Sequence, residues 1–370
     1  MEKGLCELCN TKQWKTVSTS ELTSTGYPVY GANGVIGYYS NYNHEKETLL
    51  ITCRGATCGT LNICNPFSYI NGNAMALDDL SDEIDIKYLY YFLLSRGLSD
   101  TITGSAQPQI VRQSLKNVRV IYPNLDAQKR IIYVLGKADE LLSIRKQQIA
   151  KLDELVKAQF VEMFGDSVAN TKNFPSTTLE TVMTVFPQNG LYKPQTDYVQ
   201  DDTGIPILRI DAFYNGKVTN WNTLKRLICS ETEIDRYLLK ENDIVINRVN
   251  SIEYLGKCAH IVGLKEKTVF ESNMMRFHMD EKKVNAVYVT EVLCTEDIYR
   301  QILRRAKKSV NQASINQEDV KSLEILVPPL PLQNQFAAFV ERVDKQKQTV
   351  QQSLEKLELM KKALMQEYFG

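Results

Sequence analysis

Two stretches of the chain carry apolar residues spaced alternately three and four positions apart, with polar residues between them. This period of 3.5 residues is typical of a helix whose apolar seam faces a partner helix in a coiled coil. Prolines precede each stretch and a Phe-Gly pair closes it, so we predict long helices over 126–165 and 331–370. The seam positions are Leu135, Ala138, Leu142, Arg145, Ile149, Leu152, Val156, Gln159 and Met163 in the first stretch, and Val340, Val343, Lys347, Val350, Leu354, Leu357, Lys361, Leu364 and Tyr368 in the second.

The second stretch repeats the first. At an offset of 205 and without gaps, residues 107–165 match residues 312–370 at 15 of 59 positions. The matches include a proline and then a glutamine, Gln128 or Gln333, at the entry to each helix. A repeat of this length indicates that one architectural unit occurs twice along the chain.

The repeat continues upstream in a weaker form. The apolar runs 49–54 and 243–248 each read as a short strand that ends at an arginine, which pairs Arg54 with Arg248. Further matched pairs are Gly59 and Gly256, Asn73 and Asn273, and Tyr88 and Tyr288. We therefore predict an α+β protein with two tandem α/β domains, 1–125 and 166–330, each followed by a long helix.

Polar residues interrupt both helical seams. Arg145 and Gln159 occur in the first seam, and Lys347 and Lys361 in the second. Neither seam is apolar enough for a long homodimer, so we predict that the two helices pair within the chain as an antiparallel coiled coil. The alternative is that each helix covers the core of its own domain.

Composition narrows the class of protein. A chain of 370 residues suggests two or three domains, and 43% hydrophobic residues are enough to form their cores. Its formal net charge of zero predicts that any basic surface is local. The apolar runs are too short for a membrane helix, and we expect a soluble, cytoplasmic protein. Cys6 and Cys9 form a lone Cys-x-x-Cys pair, which is weak evidence for a metal or redox site.

The chain shows no catalytic constellation. Residues 65–68, Asn-Pro-Phe-Ser, partly match the Asn-Pro-Pro-aromatic motif of amino-methyltransferases, but the second proline and a glycine-rich cofactor loop are missing. There is no phosphate-binding Gly-x-x-x-x-Gly-Lys-Ser/Thr motif, and the carboxylates lack a metal-ligand spacing. We expect a chain that performs no chemistry and has no cofactor or metal of its own.

Polar turns after the predicted strands are candidates for contacts with DNA. Arginine can donate two hydrogen bonds to guanine, and asparagine or glutamine can do the same for adenine. The alternatives are salt bridges for the arginines and turn or capping roles for the amides. The candidates are Tyr30, Asn33, Arg54, Thr57, Asn73 and Gln107 in the first domain, and Tyr192, Lys193, Arg209, Asn247, Arg248, Asn250, Ser251, Asn273 and Gln312 in the second.

A further basic group lies near the end of the second domain. It contains Arg300, Arg304, Arg305, Lys307 and Lys308. We interpret it as a set of phosphate contacts, with a solvated helix face as the alternative.

The layout of two domains and two helices, the proline and glutamine entry to each helix and the Phe-Gly ends resemble the DNA-specificity subunit, HsdS, of type I restriction–modification systems. The resemblance covers the whole chain. The segments 30–37 and 243–258 are also similar to parts of that family's target-recognition domains. In this chain the first domain begins with little N-terminal extension, which differs from the family.

The resemblance implies a non-catalytic subunit with two target-recognition domains, each reading one half of a bipartite site in double-stranded DNA. It also implies that the helices dock two methylation subunits, which carry S-adenosylmethionine, and that restriction subunits join them. Contact residues differ between specificities, so the family assigns none here. From Leu135 to Met163 a helix rises about 42 Å, close to the ~34–36 Å between half-sites one DNA turn apart.

Two other functions compete with this one. A protein-binding adaptor with two globular domains on a coiled coil fits a net charge of zero. A small methyltransferase or nuclease would need the motifs that the chain lacks.

Overall fold

A computed structural model describes residues 1–32, 34–104, 107–201 and 203–370. The chain forms two compact units: unit 1 consists of Met1–Ile149 and Thr349–Gly370, and unit 2 of Ala150–Gln348. Both units mix helices and strands, which confirms the predicted α+β class. The division into segments 1–125, 126–165, 166–330 and 331–370 stays a prediction. None of the helices in the described ranges is long and apolar enough to cross a membrane.

Unit 1 is built on a four-stranded antiparallel sheet with the order β2-β8-β5-β6. Every residue of β5 is buried, as expected for a short apolar strand inside a sheet. A three-stranded sheet, β4-β3-β7, packs over a smaller core. The elements are β1 (Glu2–Gly4), α1 (Leu5–Leu8), β2 (Asn10–Gln13), β3 (Tyr27–Gly31), β4 (Gly34–Tyr39), β5 (Leu49–Thr52), β6 (Leu61–Ile63), β7 (Tyr69–Ile70), β8 (Ala74–Asp78), α2 (Ile86–Arg96), α3 (Arg112–Leu115) and β9 (Arg119–Ile121).

Unit 2 contains a six-stranded sheet, β11-β21-β17-β19-β15-β14, and a four-stranded sheet, β12-β16-β13-β20. The fully buried β17 is central in the larger sheet and corresponds to β5 of unit 1. The elements are β10 (Ser176–Thr178), β11 (Met183–Asn189), β12 (Tyr198–Val199), β13 (Ile205–Leu208), β14 (Phe213–Tyr214), β15 (Gly216–Val218), β16 (Lys225–Leu227), α5 (Glu231–Tyr237), β17 (Asp243–Asn247), β18 (Val249–Asn250), β19 (Cys258–His260), β20 (Val269–Phe270), β21 (Met274–Met279), α6 (Ala286–Leu293), α7 (Glu296–Arg305), β22 (Lys307–Lys308), β23 (Ala313–Ser314), α8 (Gln317–Lys321) and β24 (Glu324–Leu326).

The two long helices, α4 (Leu125–Phe164) and α9 (Leu330–Phe369), begin and end one residue earlier than predicted. All eighteen predicted seam positions are buried or half-buried, which confirms the 3.5-residue seam. Gly165 follows the first helix with a φ of 74° and donates its N–H to the carbonyl of Val161 over 2.8 Å. This is the glycine stop expected at a helix end.

Within each unit a segment of one long helix contacts a segment of the other. In unit 1, Leu135 shares a core cluster with Met365, and Asp139 pairs with Lys361. In unit 2, Asp153 pairs with Lys347, and the rings of Phe164 and Phe336 lie 5.4 Å apart. In both cases the numbering rises along one segment while it falls along the other, so the paired segments are antiparallel. A continuous coiled coil through both units stays a prediction.

The Phe-Gly ends have equivalent positions in the two units. Phe164, which ends the first long helix, packs on Tyr288 of unit 2 at a ring separation of 4.7 Å. Phe369, which ends the second, packs on Tyr88 of unit 1 at 5.5 Å. Each phenylalanine therefore completes the core of a domain that does not directly precede its helix in the chain.

A buried glutamine fastens the start of each long helix. The amide group of Gln128 accepts from the N–H of Asp85 over 2.8 Å and donates to the carbonyls of Glu83 and Pro123. Gln333 accepts from the N–H of Asn285 over 2.9 Å and donates to the carbonyl of Pro328. Both glutamines are fully buried. Asp85 and Asn285 cap α2 and α6, so each glutamine joins a long helix to the helix of its domain.

Replacing these glutamines should weaken one unit at a time. We expect Gln128→Ala to destabilise unit 1 and Gln333→Ala to destabilise unit 2, each by about 1–3 kcal/mol, because buried N–H and C=O groups lose their partners. Hydrogen exchange resolved by peptide, together with urea unfolding, measures both effects. Gln147→Ala, at an exposed position of the first long helix, is the control and should change stability by less than about 0.5 kcal/mol. Equal loss of protection in both units would contradict the expectation.

Candidate nucleic-acid interface

The central strand of each unit leads into the same hydrogen-bonded turn. In unit 1 the N–H of Cys53 donates to the carbonyl of Asn73 over 3.0 Å, and the carbonyl of Cys53 accepts from Ile110 over 3.0 Å. In unit 2 the N–H of Arg248 donates to the carbonyl of Asn273 over 2.8 Å, and the carbonyl of Arg248 accepts from Ile315 over 2.9 Å. Cys53 is therefore the counterpart of Arg248.

This correspondence corrects the predicted pairing of Arg54 with Arg248, which is wrong by one residue. Arg54 instead corresponds to Val249, because Arg54 bridges to Gln109 as Val249 pairs with Ser314. Side chains alternate between the two faces of a strand, so a slip of one position reverses the direction in which the side chain points. Arg54 and Arg248 therefore do not occupy equivalent positions, and their placement no longer favours a shared role.

The two arginines also have different surroundings. The side chain of Arg54 is exposed and has no hydrogen-bond or ion-pair partner within the described ranges. Arg248 is half-buried, and its guanidinium donates to the carbonyl of Ser272 over 3.2 Å. Its Nε is buried without a partner in the described part of the chain. Arg54 is therefore free to contact a ligand, whereas Arg248 ties the turn to the loop before β21.

A β-hairpin lies beside this turn in unit 2. Strands β22 and β23 pair antiparallel, and β23 also pairs with β18, which follows the central strand. The register places Asn250 opposite Ala313, so Ser251 and Gln312 follow at the same end of the ladder. Three residues predicted from the sequence, Asn250, Ser251 and Gln312, thus come together beside the hairpin tip.

Unit 1 has an equivalent arrangement. Gln109 bridges to Thr103 on one side and to Arg54 on the other. The predicted residues Thr57 and Gln107 are exposed. Arg54 and the loop that contains Gln107 therefore share one edge, as the corresponding residues do in unit 2. Asn33 lies outside the described residues.

The two matched asparagines act through the backbone. The carbonyls of Asn73 and Asn273 accept the hydrogen bonds that close the turns described above. Asn73 is exposed and Asn273 is half-buried. The turn role, which was the alternative to DNA contact, explains why an asparagine occurs at this position in both units.

Three other candidates are engaged inside the fold. Tyr30 lies in the smaller core of unit 1, and its hydroxyl accepts from the N–H of Asn65 over 3.2 Å. Asn247 is fully buried and donates its side-chain amide to the carbonyl of Tyr254 over 3.4 Å. The ammonium of Lys193 is held by Glu233 at 2.9 Å and by Asp197 at 3.3 Å. Their burial and partners count against direct base contacts.

Arg209 lines a cavity of about 160 Å³ in unit 2, together with Asp211, Thr219 and Lys225. Its Nε lies 3.8 Å from Asp211 and from Glu271, and its Nη1 lies 3.5 Å from the hydroxyl of Tyr198. Burial raises the pKa of Glu271, while the nearby arginine opposes that shift. Arg209 thus lies between the buried carboxylate of Glu271 and the cavity. The remaining candidate, Tyr192, is 77% exposed.

Lys257 was not predicted from the sequence as a contact residue. It directly follows Gly256, the glycine of the turn. Its ammonium is 3.5 Å from the ring centre of Tyr214 and 5.8 Å from that of Tyr254, and it donates to the carbonyl of Ile210 over 3.2 Å. Burial lowers the pKa of Lys257. Cation–π contacts of this kind have no sequence signature, because the rings come from distant segments.

The basic group near the end of unit 2 is divided by the structure. Arg305 donates to the side chain and the carbonyl of Ser322 over 3.0 Å, and Arg300 lies 3.8 Å from Glu296. Arg304, Lys307 and Lys308 are exposed and have no acidic partner among the described residues. Of this group, Lys307 and Lys308 therefore place unpaired positive charge on the hairpin, and Arg304 places it in the last turn of α7.

The central strand and its hydrogen-bonded turn occur in both units, and the sequence match to a known family also occurs twice along the chain. The model of the type I restriction modification DNA specificity domain matches residues 1–154 and again residues 174–359. The chain belongs to this family. The two matches confirm the family resemblance and the internal repeat.

Individual members of the family have low sequence identity to this chain. A putative type I restriction enzyme MjaX specificity subunit from Methanocaldococcus jannaschii is 30% identical over 187 residues, which is 49% of this chain and 42% of that protein. The MjaVIII specificity subunit of the same organism is 22% identical over 339 residues, which is 87% of this chain and 78% of that protein. The second alignment extends across both units.

A solved structure shares the fold. The crystal structure of the type I restriction–modification S subunit from M. genitalium aligns with a TM-score of 0.66 at 16% identity, covering 100% of this chain and 96% of that one. The similarity establishes a common fold over the full length. At this identity it does not transfer individual contacts.

Arg54 and Arg248 should respond differently to replacement. We expect Arg54→Ala to weaken binding to cognate DNA by about 1–3 kcal/mol if the arginine contacts guanine, with stability unchanged. We expect Arg248→Ala to lower stability by about 1–3 kcal/mol, because its hydrogen bond to Ser272 is removed. Urea unfolding and gel shifts with cognate and random duplexes separate the two outcomes. Lys87→Ala, on the exposed face of α2, is the control. An equal loss on random DNA would make Arg54 a phosphate contact.

Proposed function

We propose that this chain is the DNA-specificity subunit of a type I restriction–modification complex. In this role it performs no chemistry, and each unit reads one half of a bipartite site in double-stranded DNA. The observation that carries the proposal is the central strand and hydrogen-bonded turn that recur in both units, beside which each unit exposes different side chains. Membership of the specificity-domain family supports it.

The long helices have a second role in the proposal. They set the distance between the half-sites and dock two methylation subunits, which bind S-adenosylmethionine, and restriction subunits join the same complex. Exposed apolar side chains on the helices support a docking role, because Tyr133 is 67% exposed, Val161 60% and Leu359 68%. Contact with the methylation subunits would remove these side chains from water, and burial of apolar surface stabilises a complex.

The first expectation concerns assembly and binding. The chain alone should bind DNA weakly, and it should become sequence-specific when co-expressed with its methylation subunit. Light scattering after size exclusion should then give two methylation subunits per chain. Gel shifts should show a steep fall of log K with log salt, because bound lysines and arginines release counterions from the phosphates. Binding that is insensitive to salt and sequence would favour the adaptor, and methylation by the purified chain alone would make it an enzyme.

The second expectation concerns the division of labour. Exchanging residues 168–316, which contain the complete hairpin of unit 2, for the matching segment of a relative should change one half of the methylated site only. The exchange keeps both long helices, so the gap between the half-sites should stay the same. Sequencing of methylated positions measures the result. The same exchange with a relative of identical specificity is the control, and a change in both half-sites would contradict independent reading.

A further inference from the structure

The tip of the hairpin in unit 2 exposes an apolar side chain. Both the N–H and the hydroxyl of Ser309 donate to the carbonyl of Gln312, over 2.8 and 2.9 Å, which leaves a two-residue tip of Val310 and Asn311. The side chain of Val310 is 98% exposed. Single exposed valines are common, so exposure by itself assigns no role. The surroundings of Val310 are what distinguish it.

The base of the hairpin is anchored in unit 2. Ala313 is 2% exposed and Ile315 is 3% exposed, and both belong to the main core of the unit. Ile315 also donates its N–H to the carbonyl of Arg248. A tip that rises from a packed base loses little conformational freedom when it binds, and this preorganisation favours a contact surface.

The side chains around Val310 are polar and unengaged. Asn311 and Gln312 are exposed, and neither side-chain amide makes a hydrogen bond within the described ranges. Lys307 and Lys308, on the adjoining strand, are exposed and have no acidic partner among the described residues. A local cluster of unpaired cations in a chain of zero net charge suits an anionic partner.

The chemistry of the tip matches one kind of base pair. The major groove of DNA accepts a two-stranded β-ribbon, and the apolar group that unmodified DNA exposes there is the 5-methyl group of thymine. Asparagine and glutamine can form two hydrogen bonds with adenine, and neighbouring lysines reach phosphates. An apolar side chain between unpaired amides therefore fits A·T pairs better than G·C pairs.

We propose that the hairpin 307–314 enters the major groove of the half-site read by unit 2, with Val310 on the methyl group of a thymine. Asn311 or Gln312 binds an adenine at the same step, and Lys307 and Lys308 bind the flanking phosphates. This inference rests on the proposed function and deepens it. It assigns a specificity-determining side chain to one base.

The test uses the full chain in its complex with methylation subunits, on the site mapped by methylation sequencing. Thymines of each half-site are replaced one at a time by deoxyuridine, which lacks only the 5-methyl group. For the wild type, one replacement in the half-site of unit 2 should weaken binding about fourfold, as expected for one buried methyl. Val310→Ala should weaken binding to the unmodified site by at least as much. For Val310→Ala, deoxyuridine at the same position should cause no further loss of affinity.

Val262→Ala, at a 48% exposed position of the same unit, is the matched control and should keep the wild-type response. The inference is overturned if specific binding persists but Val310→Ala binds like the wild type. It is equally overturned if the deoxyuridine effect is undiminished in that variant, or if the half-site of unit 2 contains no thymine. If the complex binds no specific site at all, the proposed function is wrong. This outcome is distinguishable from the ones that overturn only the role of Val310.

The lysines give a second readout. Lys307→Gln with Lys308→Gln should weaken binding to cognate and random DNA alike, and the slope of log K against log salt should become shallower by about 0.9 for each phosphate that is no longer neutralised. Lys282→Gln, an exposed lysine whose ammonium has no partner in the described part of the chain, should leave the slope unchanged. An unchanged slope in the double variant would mean that these lysines do not contact phosphates, which contradicts the placement of the hairpin in the groove.

Discussion

The buried hydrogen bonds of Gln128 and Gln333 are the constraint on which the two units depend. Each side-chain amide lies in a fully buried place, where an unpaired donor or acceptor would be costly. The partners come from the proline before the long helix and from the residues before the domain helix. This fixes where each long helix leaves its domain. It also explains why the glutamine, rather than its neighbours, is shared between the two halves of the chain.

Contacts between the helical segments rely on charge as well as apolar packing. Lys347 and Lys361 occupy seam positions, and each is matched by an aspartate of the other helix, Asp153 or Asp139. A cation in a seam costs stability unless its partner is in register, so these pairs disfavour slipped pairings. Asp139 also accepts a hydrogen bond from Tyr91 over 2.8 Å, which links the seam to unit 1. The two seam lysines therefore specify which segments pair.

Periodicity and repetition made much of the fold predictable from the sequence. The seams, the paired glutamines and the matched Tyr88 and Tyr288 could be found because helical spacing and side-chain chemistry are both visible in a sequence. The strand register could not, because the runs that end at Arg54 and Arg248 match equally well one position apart. Only the backbone hydrogen bonds of Cys53 and Arg248 decide it. The packing of Phe369 on Tyr88 was equally hidden, since no local pattern links residues so far apart.

The candidate interface was also only partly predictable from the sequence. Asn247 and Lys193 were predicted to contact DNA because their side chains can do so, but Asn247 is buried and Lys193 is paired with two acidic residues. Exposed side chains without partners in the described ranges lie instead at the tip of the hairpin, at Val310, Asn311 and Gln312. A fixed base held by backbone hydrogen bonds tolerates changes at such a tip, because substitutions there leave the core untouched. One architecture can therefore occur twice in a chain and carry two different recognition surfaces.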